Sequence, residues 1–399
     1  MTAAVSFDAY DPAFVHDPYP TYARLRSLGP FRDDAWGLTF FSRHADVTGI
    51  LRDRRFGRDI RGVLPLEQVD RRTYPTHLPN WYRLIRGSFI DLEPPDHTRI
   101  RGAVNRAFTR TRAEVHRDRI ASLADRLLTN AMNAESFDAI AGYATPIPIT
   151  VIADLMGVPE SDHWHLLDWS HAIVRPFDLN VTPAEEDRAE QAVSAFAEYL
   201  RVLVRQRQTD PGADLISELA SADAPLPEDD LVATCILVLN AGHEATVAAI
   251  GNSLLALGRN PSQIGALDPD DPAAAVEELL RYDAPLQMFE RWVLEDLEWR
   301  GVPLRAGEKV GLLFGSANHD PDAFVDPERL DLGRFENPHV AFGLGTHHCL
   351  GAPLARLEVE VAVTVAARRL AVIKPVVDEP PRVPSLVFRG VTSLPLWTR

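Results

Sequence analysis

Cys349 stands in the run Phe342-Gly-Leu-Gly-Thr-His-His-Cys-Leu-Gly351, which leads directly into Ala352-Pro353. Proline is tolerated in the first turn of a helix, so the spacing predicts a glycine-flanked loop followed by a helix start. A thiolate placed there meets backbone N–H groups and the positive end of a helix dipole, both of which favour charged sulfur. Gly343, Gly345 and Gly351 carry no side chains that would hold the backbone away from a large flat ligand. His347, two residues before the cysteine, is within reach of an anionic group at the edge of such a ligand. Zinc would want four ligands in paired spacings, and no second Cys/His pair accompanies this one. A dinucleotide fingerprint would need a glycine where His348 stands.

Three further runs carry candidate chemistry. Glu278-Leu-Leu-Arg281 places an acid and a base at i and i+3, on one helix face; alone it is a common surface pair. His97-Thr-Arg-Ile-Arg101 places two cations at i and i+4. Arginine's planar fork suits a carboxylate, although such a run alone is also what a solvated basic face looks like. The run Asn240-Ala-Gly-His-Glu-Ala-Thr246 lies inside the apolar stretch 228–258. A glycine at 242 and an acid at 244 are poor choices for a helix interior, and local rules broken mid-helix mark functional sites. His243-Glu244 would begin a zinc-protease motif only if residue 247 were histidine, and it is Val247.

In this order, over roughly residues 10 to 395, these runs resemble the cytochrome P450 family of haem-thiolate monooxygenases. The pattern Phe-Gly-x-Gly-x-His-x-Cys-x-Gly is matched at every fixed position. The resemblance implies haem b with Cys349 as proximal ligand, pushing electron density towards the iron. It implies Phe342, Gly343 and Gly351 against the ring, His97, Arg101, Arg291 and His347 at the propionates, and His339 as support near the haem. It implies a structural network of Glu278, Arg281 and Arg334. It also implies a helix kink at which Ala241 and Gly242 leave space for dioxygen and Glu244 relays protons. Here the chain departs from the family, which usually has threonine directly after the acid; this chain has Ala245 and then Thr246. One residue turns a helical side chain by about 100°, so Thr246 is no simple replacement. The expectation is that a substrate hydroxyl or an ordered water takes that place. The alternatives are non-hydroxylating or peroxide-driven haem-thiolate chemistry, and, further off, a non-catalytic haem-binding protein or a zinc-binding structural protein.

Residues one and two turns before the oxygen site share its helix face, which nominates Leu237, Asn240 and Ala241 for the substrate pocket, Asn240 as a polar anchor. Leu286 and Met288 add a loop. The resemblance adds Phe388, Arg389 and Val391 as a wall, with 62–90 (Trp81, Phe89) and the surroundings of Phe177 as lid regions. The substrate expected is a medium-sized, mostly apolar organic molecule of secondary metabolism. The chain has no flavin, NAD(P)H or iron–sulfur segment, so ferredoxin and ferredoxin reductase are the expected electron donors. Arg106, Arg110, Arg112 and Arg356 are candidates for the docking patch.

The elements that must position these residues are mostly helical. Periodicity predicts helices around 97–108, 113–132, 185–207, 228–258, 273–282 and 353–369. Strand-like pieces fall at 38–41, 292–293, 297–300 and 309–314. Turns and helix starts are marked by Leu92-Glu-Pro-Pro-Asp96, Ala224-Pro-Leu-Pro227 and Asp268-Pro-Asp-Asp-Pro272. The fold class expected is mainly α with a small β region, the cytochrome P450 fold, as a single domain over 1–399. Hydrophobic content of 46% suits a sizeable core. A net charge of −16 argues against nucleic acid. Cys235 lies in an apolar run and reads as core; with no disulfide indicated, a reducing cytoplasm is expected. Met1 to Pro20 lacks a signal pattern, and no apolar run is expected to reach membrane-spanning length.

Overall fold

In this computed structural model, residues 7–69, 75–177, 181–222, 225–268, 271–370 and 373–398 are described. Ala224, Pro269 and Asp270 of the expected turns, and residues 70–74 of the expected lid segment, lie outside them. The helices include α1 (Asp96–Val104), α2 (Arg117–Ala131), α3 (His163–Val174), α4 (Pro183–Thr209), α5 (Glu228–Arg259), α6 (Ala273–Tyr282) and α7 (Ala352–Arg369). Their boundaries follow local chemistry. Thr182 and Glu185 form a capping box ahead of α4, which satisfies two orphan N–H groups. Gly351 caps α7, with Pro353 in its first turn.

The chain falls into two compact units. One comprises Met1–Gly57, Ala113–Ile147 and Ala245–Arg399; the other comprises Arg58–Arg112 and Pro148–Glu244. In the first unit a five-stranded sheet is built from β1 (Phe31–Asp33), β2 (Leu38–Phe41), β3 (Phe56–Gly57), β4 (Met288–Val293) and β5 (Lys309–Leu313). The spatial order is β1-β2-β5-β4-β3. β2 pairs with β5 in parallel, Phe40 opposite Gly311, and β4 pairs antiparallel to β5, Met288 opposite Leu313. Gly311 is needed there, since a Cβ would come within 2.6 Å of the Phe40 ring. One face buries Phe41, Ile50, Val310, Leu312 and Phe314; the other buries Phe7, Leu25, Phe31, Phe40 and Met288. α7 packs along α2 in the same unit. In the second unit α3 packs on α4, and the Trp81 indole, fully buried, donates to the Ile173 carbonyl at 2.9 Å.

Two expectations need amending. α5 runs without interruption from Glu228 to Arg259, so the expected kink does not break the helix. α5 is also long and apolar enough, by length and composition alone, to cross a membrane, with 56% of its most apolar window packed inside. The core helix of a water-borne protein passes the same test.

Candidate active site

The cysteine loop is held by its own backbone. The Cys349 N–H donates to the Phe342 carbonyl at 2.9 Å, and Gly343 N–H donates to Val340 O at 2.9 Å. Gly343 (φ 62°) and Gly345 (φ 71°) sit in the left-handed region that favours glycine. Gly345 faces a second constraint: a Cβ there would stand 2.2 Å from the Leu51 carbonyl oxygen. The thiol is exposed and lies two residues before Gly351, the N-cap of α7, where the dipole favours an anion. Beside it, a Cβ at Gly351 would meet nothing within 4 Å. An exposed thiol at a helix start, next to backbone with open space where a side chain would stand, fits a flat metallocycle that asks the protein for one soft axial ligand. The second cysteine is no competitor: burial pushes the Cys235 thiol up to about 12.

The loop rests on a charged support that sequence reasoning only half identified. His339 Nε2 lies 2.9 Å from Glu277 Oε2, and the Ala341 N–H donates to His339 Nδ1 at 3.2 Å. Nδ1 therefore accepts and Nε2 carries the proton. Arg356 binds the same Glu277 carboxylate in bidentate fashion at 2.5 and 2.9 Å, and its guanidinium lies 4.3 Å from the centre of the Phe342 ring. Burial tends to raise the Glu277 pKa, but the hydrogen bonds from His339 and Arg356, with the guanidinium charge of Arg356, outweigh it and hold the carboxyl at about 2. Arg356 was nominated for a partner-docking patch; it is instead engaged with Glu277 and Phe342. Its signal in the sequence is its place on α7, one turn inside the start.

Glu278 and Arg281 are fully buried on α6. Arg281 donates to both Glu278 oxygens at 2.7 and 2.9 Å, and Arg334 Nε donates to Glu278 Oε2 at 3.0 Å. Arg281 also reaches the carbonyls of Asn318 and Pro327 at 2.8 and 2.9 Å, fastening α6 to the segment ahead of the cysteine loop. Of the cationic candidates, Arg291 on β4 is 4% exposed and donates to the Glu290 carbonyl, and His347 is half-buried in the loop. His97 (3% exposed) and Arg101 (half-buried) lie on α1, in the other unit.

Between its accessible ends, α5 presents one accessible stripe: Leu237, Asn240, Ala241, Glu244, Ala245, Val247 and Ala248 are half-buried or exposed, with Gly242 half-buried beside them, while Val238, Leu239, His243, Thr246 and Ala249 are buried. The stripe follows the helical period. Ala245 lies on it; Thr246, at 4% exposure, does not. Gly242 has a different use from the one expected. A Cβ there would come within 3.0 Å of the Ile152 side chain, so its missing side chain serves helix packing, while the small residue Ala241 beside it is exposed. Asn240 Oδ1 is buried without a hydrogen-bond partner among the described residues. Glu244 Oε1 lies 3.3 Å from His171 Nε2 and 3.5 Å from His243 Nε2. Burial raises its pKa, but the hydrogen bond and charge of His243, with the charge of His171, bring the net shift below the usual range. No sequence pattern singled out His171, because α3 supplies it from outside every motif.

The expected substrate residues divide. Leu286 and Phe388 form an isolated antiparallel bridge and both remain half-buried. Met288 is 2% exposed, within the apolar cluster of Phe7, Leu25 and Phe40. It is core, because strand alternation turns it away from the face on which Phe289 lies. Arg389 is no wall either: its guanidinium is buried against Asp283 at 2.6 Å and against the Val15 and His16 carbonyls at 3.0 Å. Val391, 5% exposed, packs beside Gly251 of α5.

Known proteins are similar to this chain in sequence and in fold. The family described as Cytochrome P450 matches residues 273–394. The chain is 33% identical to the Polyketide biosynthesis cytochrome P450 PksS of Bacillus subtilis, over 98% of both chains. It is 36% identical to the Vitamin D(3) 25-hydroxylase of Pseudonocardia autotrophica, over 99% of this chain and 97% of that one. The crystal structure of P450BioI in complex with an acyl carrier protein carrying hexadec-9Z-enoic acid superposes with a TM-score of 0.91 at 31% identity, covering 98% of this chain and 100% of that one. With the exposed thiol of Cys349 at the start of α7, these likenesses lead to one conclusion: the chain belongs to the cytochrome P450 family, as a monooxygenase whose cofactor is haem b with the Cys349 thiolate as proximal ligand.

Proposed function

We propose that the protein inserts one oxygen atom into a medium-sized, mostly apolar, partly oxygenated product of secondary metabolism, and that the substrate or a water ordered by it completes proton delivery. The observation that carries this is the accessible stripe on α5, where Ala245 stands in place of a hydroxyl and Thr246 faces the buried side. When bound, haem supplies the redox chemistry that splits dioxygen. The chain's own residues do the rest. Cys349 anchors the iron. Arg291, His347, His97 and Arg101 would neutralise the propionates, whose burial without cations would be expensive. Phe342, Gly343 and Gly351 would lie against the ring. The Glu278–Arg281–Arg334 network and the Glu277–His339–Arg356 support keep the cysteine loop in place. Glu244 holds and passes the proton.

Asn240 Oδ1, buried without a hydrogen-bond partner among the described residues, is the polar anchor for an oxygenated group; Leu237, Leu286 and Phe388 supply apolar lining. Relatives named for polyketide biosynthesis and for hydroxylation of vitamin D3 support a substrate of this size and polarity. Ferredoxin and ferredoxin reductase deliver the electrons, in the cytoplasm, and residues 1–399 act as one catalytic domain. The test is product formation under labelled dioxygen, with Ala245→Thr alongside. Label from dioxygen in the product, and no gain in product per reducing equivalent for Ala245→Thr, is the expected result. A higher yield for the threonine variant would remove the substrate-assisted step. Label arriving only from peroxide would favour the peroxide-driven reading that Ala245 also permits.

A further inference from the structure

His171, His243 and Glu244 bring one donor atom each to within 4.8 Å of one another. Two of the separations are 3.3 and 3.5 Å, both to Glu244 Oε1. Donors arranged tetrahedrally around a zinc ion at ordinary bond lengths stand about 3.3–3.5 Å apart. His243 is 1% exposed, and its Nδ1 lies 3.2 Å from the Leu239 carbonyl. A carbonyl only accepts, so Nδ1 carries a proton and Nε2 is the ring atom left facing the carboxylate. A backbone carbonyl fixing the tautomer is also the usual support of a metal-binding histidine. His171, with its side chain 62% exposed, opens the cluster to solvent and leaves a fourth position for water. Two imidazoles and one carboxylate are a donor set for borderline divalent metals, not for calcium or magnesium.

We propose that His171, His243 and Glu244 bind one divalent transition-metal ion, zinc(II) being the representative, at a site separate from the haem iron. All three residues belong to one unit of the fold. Occupancy ties down the Glu244 carboxylate, so zinc opposes turnover. That consequence, unlike the binding itself, rests on the proton role of Glu244.

The experiment is dialysis of the holoenzyme against zinc(II), followed by elemental analysis of zinc per haem iron. Wild type should retain one equivalent. His171→Ala, a change at an exposed position, should bind at least tenfold more weakly, and His171→Cys, which restores a zinc ligand, should recover binding. Equal zinc in wild type and His171→Ala, or none above background in wild type, would overturn the site. Turnover measured on the same samples separates the two readings. Zinc that binds through His171 without slowing product formation leaves the site standing and removes the proton role of Glu244.

Discussion

Single residues decide whether sulfur meets iron. Cys349→Ala should abolish the strongly red-shifted Soret band of the reduced, carbon-monoxide-bound protein, read as a difference spectrum. Gly345→Ala is the sharper probe, because it keeps the thiol. Its φ of 71° is strained for any side chain, costing about 1–3 kcal/mol, and the added methyl meets the Leu51 carbonyl. Reduced haem content and a partly unshifted Soret band are expected; a wild-type spectrum would contradict the packing described. The cysteine loop was legible in the sequence because the chemistry needs those residue types at those spacings. His171 and Glu277 were not, since each acts through a partner far along the chain. Gly242 shows the converse: the motif was legible, but the reason for its glycine, the Ile152 side chain, was not.

At the scale of elements, the buried pair on α6 bears most weight. Glu278→Ala would leave Arg281 and Arg334 without their counter-charge, which typically destabilises by about 3–5 kcal/mol. The expected result is poor haem incorporation and a lowered urea midpoint. Met288→Ala on β4 should also destabilise, by about 2–5 kcal/mol for a core truncation, while the substrate-binding spectrum stays unchanged; an altered spectrum would return Met288 to the pocket. Helix periodicity located α5, α6 and α7 to within a residue or two, because each has an apolar face sustained over several turns. It missed the helices Tyr19–Leu28 and His44–Arg52, which are short and interleaved with the strands of the sheet. The strand seen at 292–293 is the last third of β4, whose earlier residues mix apolar and charged side chains.

For the whole molecule, acid should act through a few carboxylates. Charges and hydrogen bonds overcome burial to hold Glu277 and Asp283 both at about 2, the latter through Arg389, Arg382 and Tyr19. Their folded-state pKa values lie below the unfolded ones, so the unfolded chain binds more protons as pH falls. The stability they contribute is full above about pH 4.5 and is lost as pH drops towards 2. Urea midpoints should fall steeply across that window, and less steeply in Glu277→Gln. The general architecture was readable from the order of motifs; the division into two units was not, since its boundary passes within α5, between Glu244 and Ala245. The contact between Gly345 and the Leu51 carbonyl has one more consequence. The pigment-holding turn is moulded against a helix laid down nearly three hundred residues earlier, so a nascent chain has no finished socket until its two ends have met. Colour in this protein is therefore a gauge of assembly, and bleaching should accompany the first loosening of the N-terminal helices rather than follow it.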